Sequence, residues 1–186
     1  MRKDFGSKTW LYPMPVLIVA AYDELGNPNA MNAAWGGIYT DNTIGICLAE
    51  EHKTTRNILA TKFFTVSVGT EACVQACDYL GLVSGDKVCD KLSRAGLHVV
   101  RSQYVNAPII EELPMTLECE MLSYDLESNH LVGRIVNVSA DESILTDGKI
   151  DIAKLRPVVY DTVSHQYYAI GRAVAQAFSV GKEFMK

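Results

Sequence analysis

A chain of 186 residues, 48% of them hydrophobic, is long enough for one domain with a sizeable core and too apolar for a disordered one. Its net charge of −5 and pI of about 5.3 argue against a nucleic-acid binder, whose surface carries a basic surplus. No apolar run is long enough to span a bilayer, and the five cysteines, an odd count with no recognisable secretory leader, favour a reduced, cytoplasmic chain.

Pro13-Met14-Pro15 punctuates the start, and Val16 to Tyr22, apolar and rich in β-branched residues, reads as a buried strand. Asp23 to Asn29 is dense in turn formers, so Ala30 to Ile38 returns as a hairpin partner. Thr43 to Ala49 is a third strand and Thr54 to Lys62 a short helix. Phe63 to Val68 alternates sides as a strand does. Glu71 to Val83 sets Cys73, Ala76, Cys77 and Leu80 at helical spacing, which reads as core packing rather than a metal site. Asp86 to Arg94 is a short helix ended by Gly96, and Leu97 to Arg101 a weak strand. In Met115 to Tyr124 the residues Met115, Leu117, Cys119 and Met121 alternate with Thr116, Glu118 and Glu120, which predicts one buried and one wet face. His130 to Ala140 is its hairpin partner, Asp147-Gly148 a turn, Val158 to Tyr168 a short strand and Gly171 to Phe178 a short helix. Mainly β structure with short helices, linked mostly by hairpins, predicts an antiparallel sheet closed into a small barrel in a single domain, residues 1–186.

Several familiar chemistries are missing. No Gly-x-Gly-x-x-Gly follows a strand, and there is neither a Walker A sequence nor a His-Glu-x-x-His. None of the four histidines sits in a nucleophile motif. The segment from Cys47 to Ile58 is more informative. An apolar strand runs through a polar turn into a helix start that Thr54 or Thr55 can cap, with Lys53 and Arg56 beside it. A helix N-terminus carries free donors and partial positive charge, so these residues suit a phosphate, although a capped surface helix with solvated basic residues is the commoner arrangement.

The chain resembles the flavin reductase-like proteins of the FMN-binding split-barrel fold, the flavoredoxin group in particular. The resemblance runs in order through Pro13-Met14-Pro15-Val16, Gly26 to Trp35, Lys53 to Ile58, Asp90-Lys91 with Ala95-Gly96-Leu97, Ala107 to Glu111 with Leu117-Glu118-Cys119, and Asn129 to Ile135. It implies a split antiparallel barrel holding FMN. Lys53, Thr54, Thr55 and Asn57 would take the phosphate; Asn29, Asn32, Ala33, Ala34 and Trp35 would face the ring; Cys47, Leu48 and Ala49 would complete its wall. Cys47 stands where relatives often carry Ser. Lys91 and His130 would tune the ring by charge, although alone they read as a solvated lysine and a structural histidine; Tyr12, Tyr167 and Tyr168 could shield it.

The implied function is electron transfer through FMN, with no protein nucleophile and no metal. The electrons would pass from a reduced nicotinamide or a redox protein to a small acceptor, free flavin or redox partner, in a homodimer without nucleic acid or membrane. A pyridoxamine-phosphate-oxidase-like enzyme, a barrel that holds FMN or haem without turnover, and a domain with no ligand are the alternatives.

Overall fold

Two strands joined by only two residues lie at opposite edges of one sheet, and this connection forces the sheet to curl. In the computed structural model, which describes residues 1–185, β1 (Met14–Pro15), β2 (Leu17–Tyr22), β3 (Pro28–Ala33), β4 (Gly36–Thr40) and β5 (Thr43–Cys47) precede α1 (Lys53–Thr61) and β6 (Phe63–Val68). Then come α2 (Val74–Leu82), α3 (Lys91–Arg94), β7 (Val99–Arg101), β8 (Pro108–Ile110) and the long hairpin of β9 (Met115–Asp125) and β10 (His130–Ala140). β11 (Leu145–Thr146), β12 (Lys149–Ile150), α4 (Ile152–Leu155), β13 (Val158–Asp161) and β14 (Gln166–Ala169) follow. Seven strands form an antiparallel sheet in the order β3-β2-β6-β9-β10-β5-β4. Its edge strands, β3 and β4, are linked by Ala34 and Trp35 alone, so the sheet rolls until its ends approach. Among the described residues no ladder joins β3 to β4. The fully closed barrel read from the hairpins is therefore corrected to a barrel split along this seam, as the resemblance implied.

β2 explains how helices come to lie outside the barrel. Its sequence, Leu17-Ile18-Val19-Ala20-Ala21-Tyr22, is buried at every position. Leu17, Val19 and Ala21 face the barrel core with Ile46, Phe64 and Leu131, while Ile18 and Ala20 face a second core with Cys77 and Leu80 of α2. A strand buried on both faces reads as a continuous apolar run, which is what this one shows. The Cys73–Cys77 stripe is core packing, and burial pushes the Cys77 thiol up to about 12.

Other expectations are corrected. Thr116 and Glu118 of β9 are buried, not wet, because the segment carrying β7 and β8 crosses that face. There Thr65 Oγ1 donates to the Pro108 carbonyl at 2.6 Å, and Glu118 accepts from Asn137 Nδ2 at 2.7 Å and from the Ser102 hydroxyl. The strand expected over Ala30 to Ile38 breaks at Ala34-Trp35, where the chain passes from one sheet edge to the other. The helix expected over Glu71 to Val83 begins as a short 3₁₀ turn, and that over Asp86 to Arg94 shrinks to α3. Val158 to Tyr168 is a hairpin of two strands, whose β13 also pairs with β1. Gly171 to Phe178 forms no helix; the segment is exposed, and a short helix with nothing to pack against is unstable in water.

Candidate functional site

The split between β3 and β4 opens into a cavity of about 410 Å³. One wall comes from the connection between the sheet edges (Asn32, Ala33, Ala34 and Trp35) and from the exit of β5 (Cys47, Leu48 and Ala49). These seven predicted ring-facing residues are thus brought together. Small side chains in this wall leave the backbone accessible to a flat ligand. Trp35 is about half exposed, 47%, and so does not fill core. The β5 exit is braced from outside: Leu48 N donates to Asn129 O at 2.8 Å, and Tyr124 Oη donates to the Leu48 carbonyl at 2.7 Å.

The rest of the lining was largely missed by sequence reasoning. Asp78, Gly81 and Leu82 come from α2, Tyr160, His165 and Tyr167 from the β13–β14 hairpin, and His52 from the turn before α1. These segments lie far apart in the chain and carry no shared spacing, so only the fold assembles them. Of the three tyrosines named for shielding, Tyr167 reaches the cavity, while Tyr12 donates to Asp161 and Tyr168 to Gln166.

α1 begins beside the cavity, directly after Ala49 and His52. Its N-cap is His52, and no side chain caps it, which corrects the capping expected of Thr54 or Thr55. Both threonines lie inside the first turn and are buried, because the turn at Ala49–His52 starts the helix early: His52 N donates to Ala49 O at 3.2 Å. Thr54 Oγ1 accepts from Asn29 Nδ2 at 2.6 Å, so Asn29 ties β3 to α1 rather than lining the cavity. Thr55 Oγ1 and Asn57 Nδ2 are buried with no hydrogen-bond partner. A buried polar group without a partner costs roughly 1–3 kcal/mol, so each of these atoms would gain from a polar contact; two apart on the helix, they face different ways, and neither lines the cavity.

The loop after α2 closes on the same place. A side chain at Gly85 would overlap Asn29 Oδ1 and come 3.1 Å from Lys53 Cδ, so only glycine lets the loop approach. Arg56 Nη2 reaches both carboxylate oxygens of Asp86 at 2.7 Å, pinning the loop and holding that carboxyl below the usual range.

Neither predicted tuning residue lines the cavity. His130 heads β10 opposite Cys47 and lies over β5: a side chain at Gly45 would come 2.7 Å from His130 Nε2, and Tyr39 meets its ring edge-on at 5.5 Å. Lys91 is not a solvated lysine. It is 2% exposed, and its Nζ donates to the carbonyls of Leu80 (3.3 Å) and Val83 (3.0 Å), closing the end of α2.

Burial lowers Lys91 from 10.5 to about 8. The unfolded chain then holds more protons than the folded one between those values, so the burial penalty is full below pH 8 and fades as pH rises. Relative to Lys91→Met, the wild-type protein is expected to gain up to about 3 kcal/mol of stability from pH 8 to 10.5. Denaturant midpoints of both proteins across that range test this; a constant difference would refute it.

Among the described residues no cluster of three or more His, Cys, Asp or Glu could hold a metal ion, and no helix is long and apolar enough to cross a membrane.

Comparison with known proteins adds four facts. A family model described as flavin reductase like domain matches residues 9–168. The fold matches the flavoredoxin of Desulfovibrio vulgaris (Miyazaki F) with a TM-score of 0.93 and 38% identity, over 97% of this chain and 100% of that one. It matches the flavoredoxin of Methanosarcina acetivorans with a TM-score of 0.90 and 28% identity over 100% of both chains. An uncharacterized protein of Aeropyrum pernix is 28% identical over 123 residues, covering 64% of this chain and 46% of that protein, so the chain spans under half the length of that relative.

Proposed function

The chain belongs to the flavin reductase like domain family, and from that premise we propose that it binds FMN and relays electrons through it, as a flavoredoxin or an NAD(P)H:flavin reductase would. The observation that carries this reading is the start of α1, which no side chain caps: its N-cap His52 lines the 410 Å³ cavity, and Lys53, Thr55 and Asn57 follow it outside the lining, with Thr55 Oγ1 and Asn57 Nδ2 buried and without partners. A phosphate dianion suits that helix tip. It has uncapped amides, an ammonium group and no acidic residue in its first turn. The cavity volume falls within the range of sites for ligands of this size, about 300–1,000 Å³.

Bound FMN would supply the electron-accepting and electron-donating chemistry. The residues of the chain hold and shape the site around it. Lys53 and the first turn of α1 fix the phosphate end; Asn32 to Ala34 and Leu48-Ala49 let backbone approach the ring plane. Trp35, Tyr160 and Tyr167 exclude water from it. Lys91 acts through α2, by holding the helix end that carries Gly81 and Leu82 of the wall. Electrons enter from a reduced nicotinamide or a redox protein and leave to a small acceptor, free flavin or redox partner, in the cytoplasm. A homodimer is part of the proposal; exposed Ile38 and Tyr39 on edge strand β4, with Val136 and Val138 on β10, support an apolar contact.

The test is an anaerobic absorbance spectrum of the protein mixed with FMN, followed by NADH and then NADPH. Flavin that co-elutes with the protein and bleaches with one donor is the expected result. FMN that elutes apart from the protein would overturn the reading.

A further inference from the structure

Asn32 lines the cavity beside α2 and β14, and its amide is held by both. Its Nδ2 donates to the carbonyl of Cys77 in α2 at 3.1 Å and lies 3.5 Å from Tyr167 Oη. A main-chain carbonyl can only accept, so the NH₂ end of the amide must face it. Tyr167 has one proton, and it goes to Asp78 Oδ1 at 2.8 Å. Toward Asn32 the phenol oxygen is therefore an acceptor as well. Burial, then the bond to Asp78, pushes the Tyr167 phenol up to about 12, so the proton stays in place through the neutral range. A side chain at Gly81 would stand 3.3 Å from Asn32 Cβ, so the helix backbone also seats this residue closely. Two acceptors at the NH₂ end of the planar amide leave its oxygen end without a protein partner on a residue that lines the cavity.

We infer that Asp78 and Tyr167 are positioning residues which lock Asn32 with Oδ1 toward the ligand, so that this edge of the cavity selects a planar heterocycle bearing an imide N–H and disfavours the N-alkylated ring. The inference rests on the flavin reading above. The pyrimidine edge of the isoalloxazine carries one imide N–H, at N3, between two carbonyls. An amide free to flip would offer that edge a donor or an acceptor equally; a locked one offers the acceptor alone.

The experiment compares FMN with N3-methyl-FMN by fluorescence titration, in the wild-type protein, Tyr167→Phe and Asp78→Asn. In Asp78→Asn the new amide can donate to the phenol oxygen, freeing the phenol proton to point at Asn32 and to compete with the Cys77 carbonyl for the orientation of its amide. The wild type is expected to favour FMN by about tenfold, the value of one hydrogen bond, and each variant to lose about threefold or more of that ratio. General loosening of the site would weaken both ligands alike and leave the ratio in place. Equal binding of the two ligands by the wild type overturns the inference and leaves the flavin reading standing. A tenfold ratio unchanged in the variants removes the role of Asp78 and Tyr167. Binding of neither ligand removes the flavin reading, and this inference with it. The wild-type ratio and that of either variant are enough to separate these outcomes.

Discussion

Replacing Lys53 by Ala is expected to weaken FMN binding by about 10- to 100-fold while leaving riboflavin binding within about twofold. The two ligands share the ring and differ in the phosphate. A charge-assisted hydrogen bond to phosphate contributes roughly 1.5–3 kcal/mol, which sets the size of the loss. Lys53 is half-buried at the helix tip, so its side chain can be truncated without opening either core. The wild-type preference for FMN over riboflavin should also shrink as salt is added, because charges near the surface are screened. Parallel fluorescence titrations with both ligands decide the matter. Should both affinities fall together in the variant, Lys53 does not meet the phosphate and the orientation of the ligand in the cavity is wrong.

Gly133→Ala is expected to destabilise the protein by about 1–3 kcal/mol. Gly133 lies in β10 at a register shift against β9, and Phe64 of β6 occupies the space above it. An added methyl would overlap Phe64 Cζ and stand 2.7 Å from Cε1. Phe64 is fully buried in the barrel core, so the ring has nowhere to retreat. Phe64→Leu in the same chain should recover part of the loss, since the two sites share one volume and cannot act independently. Denaturant unfolding of the two single variants and the double variant measures the coupling. A Gly133→Ala protein as stable as the wild type would show that the ring moves aside freely.

Strands with one dominant pattern were readable from sequence almost to the residue. Phe63 to Val68 and His130 to Ala140 have the expected bounds, and the run in β2 differs by one residue at its start. What could not be read depends on distant covering. Nothing in the alternation of β9 says that Ser102 and Asn137 will close over Glu118. Nothing in Ala30 to Ile38 says that the strand must stop where the chain jumps between sheet edges. The same division runs through the site. Asn32 to Trp35 and Cys47 to Ala49 are two continuous segments that the resemblance could locate, and they form one wall. Asp78, Tyr160 and His165 belong to the rest of the lining, built from single positions on a helix and a hairpin. Their signal exists only as tertiary contact, as does that of Lys91, whose partners are carbonyls and not a charged group.

The cavity lining draws on two sheets as well as α2. Asn32 stands on the seven-stranded sheet, whereas Tyr160 and Tyr167 stand on the small sheet of β1, β13 and β14. A side-chain bond joins the two sheets, from Asn32 to Tyr167, and a second ties Tyr167 to Asp78 of α2. The backbone fixes the small sheet to the barrel, Val158 N donating to Gly69 O at 3.0 Å, whereas the mouth itself is closed by side chains alone. A substitution at position 167 would therefore alter the mouth while the hydrogen-bonded frame of the barrel stays in place.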